Sequence, residues 1–438
     1  MQKKNLQTRA NSKKQVWYEL DNAGNLFPAI SDGRNTNVFR LSCELKEPVC
    51  SDLLQQALDK ALLSHPYFCM IMRRGLFWFY LEETDLRPTV YQENARPCNR
   101  IFYKSRKNLL FNCTYFGCRI NLEVFHALSD GTGAFSLLRS IVYHYIVLAH
   151  RNDLPSSLPP LLGGMSPPVH QAEDGFERHY VPGDTKSPFN QKSYTIGGTM
   201  FPANSVGIVS ARVSTKQFLS LAKSRGVTAT VYLCAMMLCA IYTEMVPRRA
   251  SNKDIGITVP VDLRGFFPSQ TSRNFFGVID IRYNFGGRPA DFDKVLQSVE
   301  KQFSQKLVER DLERQFGYNM SLQKNIFTRA FPLFLKNLVL KAAHLQGERA
   351  TTVAISNVGR ITMPAEMDPF INCFSCLLNS TPLHRLKLCV CSYNDSFIIN
   401  FTSCIAETSV QRHFLRHLSE CGVDVTITTN GGDIIEAM

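Results

Sequence analysis

A proline-rich stretch divides this chain into two runs of alternating strand and helix signals. Eight prolines fall between residues 151 and 205, together with many glycine and serine residues. Proline fixes φ and removes a backbone donor, so regular structure is not expected there. Because 438 residues are too many for one ordinary core, we predict two domains, at residues 16–165 and 206–438, joined by a crossover at residues 166–205.

Hydrophobic periodicity in both halves is typical of an α/β protein. One helical pattern begins at Leu54, and Ser51, three residues before it, is the candidate N-cap. Further helical patterns lie at residues 135–145, 231–246, 292–303, 329–345 and 409–421. Strand-like runs lie at residues 36–45, 76–83, 118–126, 206–213, 255–261, 278–285, 351–356, 386–393 and 397–401. We therefore predict two α/β halves of similar content, although the sequence shows no internal repeat.

The net charge of +12 limits the expected partners. Five basic residues and no acid lie within residues 1–15, which predict a flexible basic tail. The excess of positive charge in the rest of the chain favours an anionic ligand, such as a nucleotide-bearing cofactor or an acidic carrier protein. The sequence has no zinc-finger pattern, base-reading helix or aromatic RNA-binding signature, so nucleic acid is not expected.

The sequence predicts neither a secretory signal nor stable membrane insertion. The first residues lack an apolar core, so we expect a cytoplasmic protein with reduced thiols, and a monomer by default. The apolar stretch at residues 231–246 is shorter than the ~20 residues of a bilayer span and predicts a buried helix. Residues 329–345 carry Lys336 and Lys341 among apolar residues. Such a helix can lie on a membrane, but a core helix with solvated lysines is the expected structure.

Four cysteines have spacings that resemble a metal site. Cys373 and Cys376 form a CxxC, and Cys389 and Cys391 follow; tetrahedral zinc uses ligands of this kind. However, Cys389 and Cys391 share one face of a strand-like run, where thiols pack as small hydrophobic groups. We therefore predict no metal site.

The most informative histidine ends an alternating run. Apolar side chains from Cys118 to Val124 share one face with His126, while polar residues occupy the other, a pattern typical of a half-buried strand. An SDGTG loop breaks the strand before the next helical pattern. A histidine at such a strand end can face a cavity and act as a base near pH 7. A buried core histidine remains the alternative at this point.

His126, Asp130 and Gly131 form the motif H-x-x-x-D-G within HALSDGTG. In this setting the motif resembles the active site of the chloramphenicol-acetyltransferase-like superfamily. Further segments stand in the order seen in its alcohol acetyltransferase and condensation-domain-like branch. YELDNAGNLFPA lies before the motif, near the start of the chain, and VPVDLRGFFPSQTSRNFFG, ISNVGRI and SYNDSFIINFTS lie after it. The resemblance covers nearly the whole chain.

The resemblance implies two similar sandwich domains with a central tunnel between them. By the same resemblance, His126 is the general base and Asp130 is structural, turned away to pair with an arginine, for which Arg264 is the candidate. Gly131 would let the loop turn sharply and bring backbone close to the reacting carbonyl, where it helps to stabilise an oxyanion.

The chain departs from the plant-type members of the superfamily in one loop. Those members carry D-F-G-W-G, whereas residues 274–277 here read NFFG, without tryptophan. Asn274 and Gly277 are therefore candidates for supporting the tunnel, with an ordinary turn as the alternative. Ser356 and Asn357, in ISNVGRI, are candidates for a polar role near the tunnel, and a strand-ending turn is equally open.

The sequence thus predicts an acyltransferase without a covalent enzyme intermediate. No G-x-S-x-G elbow and no local signature for a Cys–His pair is present. The expected reaction moves an acyl group, expected to be acetyl, from acyl-coenzyme A to an alcohol or amine, and no cofactor is expected to be tightly bound. Two alternatives stay open: a condensation-type enzyme with a carrier-protein thioester as donor, and a homologue that binds ligands without turnover.

Overall fold

The computed structural model describes residues 16–161, 167–183, 191–202, 205–248 and 252–430. The predicted basic tail at residues 1–15 lies outside the described residues. The first half contains β1 (Trp17–Glu19), α1 (Phe27–Ile30), β2 (Val38–Leu45), α2 (Ser51–Ser64), β3 (Met70–Arg74), β4 (Phe79–Glu83), β5 (Tyr91–Gln92), β6 (Phe111–Phe116), β7 (Arg119–Phe125) and α3 (Gly131–Ala149). The crossover contains two short helices, α4 (Pro168–Gln171) and α5 (Gly175–His179).

The second half again alternates strands and helices. Its elements are β8 (Gly207–Ser214), α6 (Thr215–Ser224), α7 (Ala229–Met245), β9 (Ile255–Asp262), β10 (Phe276–Tyr283), α8 (Phe292–Lys306), α9 (Glu309–Lys324), α10 (Ile326–Ala330), α11 (Leu333–Arg349), β11 (Val353–Arg360), β12 (Ile371–Leu378), β13 (Leu386–Tyr393), β14 (Ser396–Ser403), α12 (Ser409–Glu420) and β15 (Thr426–Thr429). Each strand-like run of the sequence overlaps one of these strands. α2 begins at Ser51 itself, and the residue at its N-cap is Cys50.

Two large sheets organise the halves. The first has the strand order β12-β2-β7-β6-β5, and the second has the order β10-β9-β11-β13-β14-β8-β15. β1, β4 and β3 form a small third sheet. Two hydrophobic cores match the two large sheets, one against α2 and α3 and the other against α7, α8 and α12. The predicted pair of α/β halves is confirmed.

One strand crosses the predicted boundary between the halves. β12 lies in the segment assigned to the second half, but it pairs antiparallel with β2, so that Phe374 lies opposite Cys43 in the first sheet. Cys373 and Cys376 on β12, and Cys389 and Cys391 on β13, pack into the first core. Local periodicity could not show this, because it indicates a strand without indicating its partner.

β7 is the central strand of its sheet and is buried on both faces, so the prediction of a half-buried strand is wrong. Its polar face is covered by other polar groups. Arg40 forms an ion pair of 2.9 Å with Glu123, and Ser42 donates to Asn121 over 2.8 Å. Polar alternation marks a solvent-facing side only when no such partners cover it.

α11 is not a core helix, so that prediction is also wrong. Leu333 is its buried residue, whereas Phe334, Leu338 and Val339 are exposed. In contrast, α7 is buried along most of its length, as predicted. Within the described residues, α3 is long and apolar enough to span a membrane, and so are α6 and α7 if they are taken together as one bent segment. In the structure, α3 packs against α2 and β2 in the first core.

The placement of β12 can be tested through Phe374, which is fully buried and packs against Phe135 and Tyr393. Phe374→Ala should lower the free energy of unfolding by about 3–5 kcal/mol, because it leaves a cavity in the first core. Urea unfolding measures this loss. Ser375→Ala, on the other face of β12, should have little effect, and equal small effects of both variants would contradict the assignment.

Candidate active site

His126 lies directly after the central strand of the first sheet. Its backbone N–H donates to the carbonyl oxygen of Asn37 over 2.8 Å, which ties the end of β7 to the residue before β2. A tight turn follows, in which the N–H of Leu128 donates to the carbonyl of Phe125 over 2.9 Å, before α3 begins. The imidazole is therefore carried on rigid backbone.

Three phenylalanines from both halves surround the imidazole. Phe27 of α1 stacks on it at 4.5 Å between ring centroids, Phe39 of β2 meets it edge-on at 5.0 Å, and Phe276 of β10 lies at 5.6 Å. The side chain nevertheless keeps some accessible surface. The ring thus lies where the two halves meet, enclosed by apolar groups but not sealed.

A hydrogen-bond chain sets the tautomer of His126. Nδ1 lies 3.0 Å from Oδ1 of Asn274, and Nδ2 of Asn274 donates to Oδ2 of Asp21 over 3.2 Å. The carboxylate of Asp21 can only accept a hydrogen bond, so it must face the amide nitrogen of Asn274. The amide oxygen of Asn274 therefore faces the ring and accepts from it. This arrangement assigns the proton to Nδ1 and leaves Nε2 with a lone pair.

The environment of the ring favours its neutral form. Burial lowers the pKa of His126, while the charge of Asp130 and the hydrogen bond that the ring donates to Asn274 oppose the shift. The positive charge of Lys387 lowers the pKa further. The balance lies below the ordinary value, so the imidazole is mainly unprotonated at neutral pH and can accept a proton.

Asp21 completes the chain and was missed in the sequence, although it lies in the YELDNAGNLFPA segment. It is buried and accepts from the N–H of Gly24 over 2.6 Å. Burial raises its pKa to about 6, against the lowering effect of the Arg273 guanidinium 3.6 Å away. No local pattern indicates that the carboxyl of Asp21 faces Asn274, because the two residues are far apart along the chain.

Asp130 connects the motif loop to the second half. One carboxylate oxygen accepts from the N–H of Gly133 and caps α3, over 3.0 Å. The other accepts from Nη1 of Arg264 over 2.8 Å and from the N–H of Phe275 over 2.9 Å. Arg264 also donates to the carbonyl of Arg273 over 2.8 Å. The structure therefore brings Arg264 to Asp130, and together they hold the loop that carries Asn274.

The crossover braces the same loop from behind. The N–H of Ser272 donates to the backbone carbonyl of Gln171. The hydroxyl of Thr271 donates to the backbone carbonyl of Glu173. The ring of Phe275 packs directly over Gly175 of α5, in a small third core that also contains residues of α9. The predicted crossover is thus more than a connection, since it fixes the position of residues 271–275.

Gly131 is not required for the turn, contrary to the prediction. It is the first residue of α3, its φ is not positive, and a Cβ placed on it would meet no atom within 4 Å. Gly133 is the residue that packing demands, because a Cβ there would collide with the carbonyl of Ser272 and the hydroxyl of Ser129. Beside Gly131 there is open space.

The remaining candidates lie in the second half. Gly277 pairs with Val261 in the β10–β9 ladder. Ser356 lies opposite Cys389 on β13. Asn357 donates to the hydroxyl of Thr230 over 3.0 Å and accepts from the N–H of Gly359 over 2.9 Å. Asn357 thus joins a β-bulge to the start of α7, and its contacts are structural ones within its own half.

A largely buried polar cluster that the sequence did not indicate lies at the C-terminal end of α11. Oε1 of Glu348 is 2.9 Å from Nδ1 of His384 and 3.9 Å from Nε2 of His344. Burial alone would raise the pKa of Glu348, but these histidines and Lys387 lower it to about 2. Lys387 alternates along β13 with Leu386 and Leu388 of the second core, so its side chain projects toward the first half.

The fold is shared with acetyltransferases and condensation domains. TRI101 from F. graminearum, in complex with coenzyme A and T-2 mycotoxin, has a TM-score of 0.63 at 11% identity, covering 94% of this chain and 99% of that one. The trichothecene 15-O-acetyltransferase TRI3 from Fusarium sporotrichioides has a TM-score of 0.61 at 11% identity, covering 95% and 96%. The first condensation domain of the CDA synthetase has a TM-score of 0.58 at 14% identity, covering 93% and 96%.

No family model matches the chain, and no curated protein matches it in sequence. The likeness to solved structures therefore establishes the fold. The chain has the two-domain architecture of the chloramphenicol-acetyltransferase-like group, which confirms the fold expected from the motif resemblance.

The ionisation of His126 can be measured by the pH dependence of its ring ¹⁵N chemical shifts. We expect a pKa below the ordinary 6.5 and a single tautomer protonated at Nδ1. In Asn274→Ala the pKa should fall further and both tautomers should appear, because the hydrogen bond that favours the charged form is lost. Asn357→Ala, the amide control, should leave the titration unchanged, and a wild-type pKa above 6.5 would contradict the arrangement.

Proposed function

We propose that this chain is an acyltransferase in which Nε2 of His126 takes the proton from an alcohol or amine acceptor. The donor is an acyl-coenzyme A, with acetyl as the expected acyl group. The observation that carries the proposal is the Asp21–Asn274–His126 chain, which leaves an unprotonated nitrogen in the ring between the two halves. A neutral imidazole held in this way is the usual general base near pH 7.

The proposed reaction is a direct attack within a ternary complex. The acceptor oxygen or nitrogen attacks the thioester carbonyl carbon while its proton moves to Nε2 of His126. The tetrahedral intermediate then collapses, the carbon–sulfur bond breaks, and the thiolate leaves and takes the proton back from the imidazolium. The ring returns to its neutral state, and the acyl group is never attached to the enzyme.

The neighbouring residues have distinct roles in this proposal. Asp130 is engaged by Arg264, Gly133 and Phe275, so it supports the loop and does not take part in proton transfer. Asn274 positions the ring. We place the reacting carbonyl in the open space beside Gly131, where the positive end of the α3 dipole stabilises developing negative charge.

The donor and acceptor would reach His126 through a tunnel between the halves, the expectation carried by the fold. Coenzyme A in the TRI101 complex supports a coenzyme A thioester as co-substrate. The likeness to a condensation domain supports the alternative donor, a carrier-bound thioester. The net charge of +12 suits either anionic donor.

The proposed base can be tested by His126→Ala. We expect transfer from acetyl-coenzyme A to a panel of alcohols and amines to fall by about 10²–10⁴-fold, because no other group takes the proton. Thiol release and acylated product are both measured, and a carrier-bound acetyl thioester is assayed in parallel to identify the preferred donor. His413→Ala, on α12, is the control, and turnover in His126→Ala equal to that of the control would refute the proposal.

The position of the reacting carbonyl can be tested at two nearby glycines. Gly131→Ala should keep the melting temperature, since its methyl group enters open space, but should lower kcat/KM for the thioester by about tenfold or more by occupying the space of the carbonyl. Gly133→Ala should lower the melting temperature, because its methyl group collides with Ser272 and Ser129. Unchanged kinetics in Gly131→Ala would place the carbonyl elsewhere.

A further inference from the structure

α11 exposes several of its apolar side chains at the protein surface. Phe334, Leu338 and Leu345 fall on one line of the helix, and Phe334 and Leu338 are 58% and 61% exposed. His344 and Glu348, near the C-terminal end of the same helix, belong to the polar cluster around His384. Folding has therefore left the apolar stripe of this helix uncovered, although burying such a stripe is what normally stabilises a surface helix.

The uncovered stripe continues onto the turn between β3 and β4. The N–H of Leu333 donates to the carbonyl of Leu76 over 2.9 Å, and Leu76 is 82% exposed. Nζ of Lys336 donates to the carbonyl of Phe77 over 3.0 Å and lies 5.8 Å from the ring centroid of Trp78. We call Leu76, Phe334, Leu338, Val339 and Leu345 the apolar face.

Positive charge borders the apolar face. Lys341 lies on α11 itself, and Arg74 ends β3 directly before the turn that carries Leu76. Partial burial lowers the pKa of Lys104, and the like charges of Lys341, Arg74 and Arg100 lower it further. The segment at residues 99–108 carries four basic residues and no acid. On the other side, Arg329 and Lys324 line a groove of about 480 Å³ together with Phe77, Trp78 and Ile326, and Lys324 is also paired with Glu177 over 3.3 Å.

An exposed apolar helix with aromatic residues and a cationic border is the pattern of a surface that enters the headgroup region of a membrane. A symmetric dimer through the same face is disfavoured, because a two-fold axis would bring each cationic border close to its own copy. Charge complementarity therefore selects an anionic partner with an apolar interior.

We propose that the apolar face and its cationic border dock this protein on the surface of an anionic phospholipid bilayer. The helix lies in the plane of the interface and does not span the membrane, in keeping with the absence of insertion expected from the sequence. The proposal goes beyond the proposed reaction and does not depend on it. α11 also packs against α1, which carries Phe27, so the docked surface lies behind one wall of the candidate active site.

Vesicle binding tests the proposal, with the full chain carrying His126→Ala so that catalysis plays no part. We expect sedimentation with phosphatidylcholine vesicles that contain phosphatidylserine, much less with pure phosphatidylcholine, and a loss of binding as salt increases. Leu338→Glu with Val339→Glu should reduce the partition coefficient by about tenfold or more. The matched control, Leu63→Glu with Leu219→Glu, changes exposed apolar residues on α2 and α6.

Tryptophan fluorescence provides a second measurement, because the chain has two tryptophans, Trp17 and Trp78. In Trp17→Phe, the emission of Trp78 should shift to shorter wavelength when phosphatidylserine vesicles are added. Equal vesicle binding by the α11 variant and the control would overturn the proposal. So would a concentration-dependent dimer that the α11 variant abolishes, since the face would then belong to a second copy of the chain.

Discussion

The ion pair between Asp130 and Arg264 is the interaction on which the geometry of the site depends. It joins the start of α3 in the first half to the loop before β10 in the second. The same carboxylate caps α3 and accepts from the N–H of Phe275, the residue after Asn274. Removing one partner of a buried pair like this costs about 3–5 kcal/mol, because the other charge is left uncompensated. The pair therefore helps to hold Asn274 against His126, together with the crossover contacts of Thr271 and Ser272.

Local sequence patterns predicted the elements well but not their neighbours. The alternation before His126 and the break at SDGTG gave the strand, the turn and the following helix. The same kind of pattern could not show that β12 joins the first sheet, since sheet order depends on long-range pairing. It also misjudged β7, because Arg40 and Ser42 cover a polar face that would otherwise face water.

The candidate site shows the same division between local and distant information. His126 and Asp130 were visible in one short motif, and Arg264 came from the family resemblance. Asp21 and Lys387 were not assigned, because their influence on the ring depends on how segments far apart in the chain pack together. Gly131 and Gly133 show a further limit: the sequence presents two glycines in one loop, and only packing distinguishes the crowded one from the one beside open space.

The choice of asparagine at position 274 explains how the ring stays neutral. A carboxylate at hydrogen-bond distance from Nδ1 would stabilise the imidazolium and raise its pKa, whereas an amide oxygen fixes the same tautomer without a full charge. Asp21 lies one residue further from the ring, and although burial raises its pKa to about 6, it is still mainly ionised at neutral pH. Arg273, 3.6 Å from Asp21, offsets this charge. The Asp21–Asn274–His126 hydrogen-bond chain thus orients the imidazole, but it raises the pKa of the ring less than an acid in direct contact would. A base that must release its proton again at the end of each turnover requires this balance.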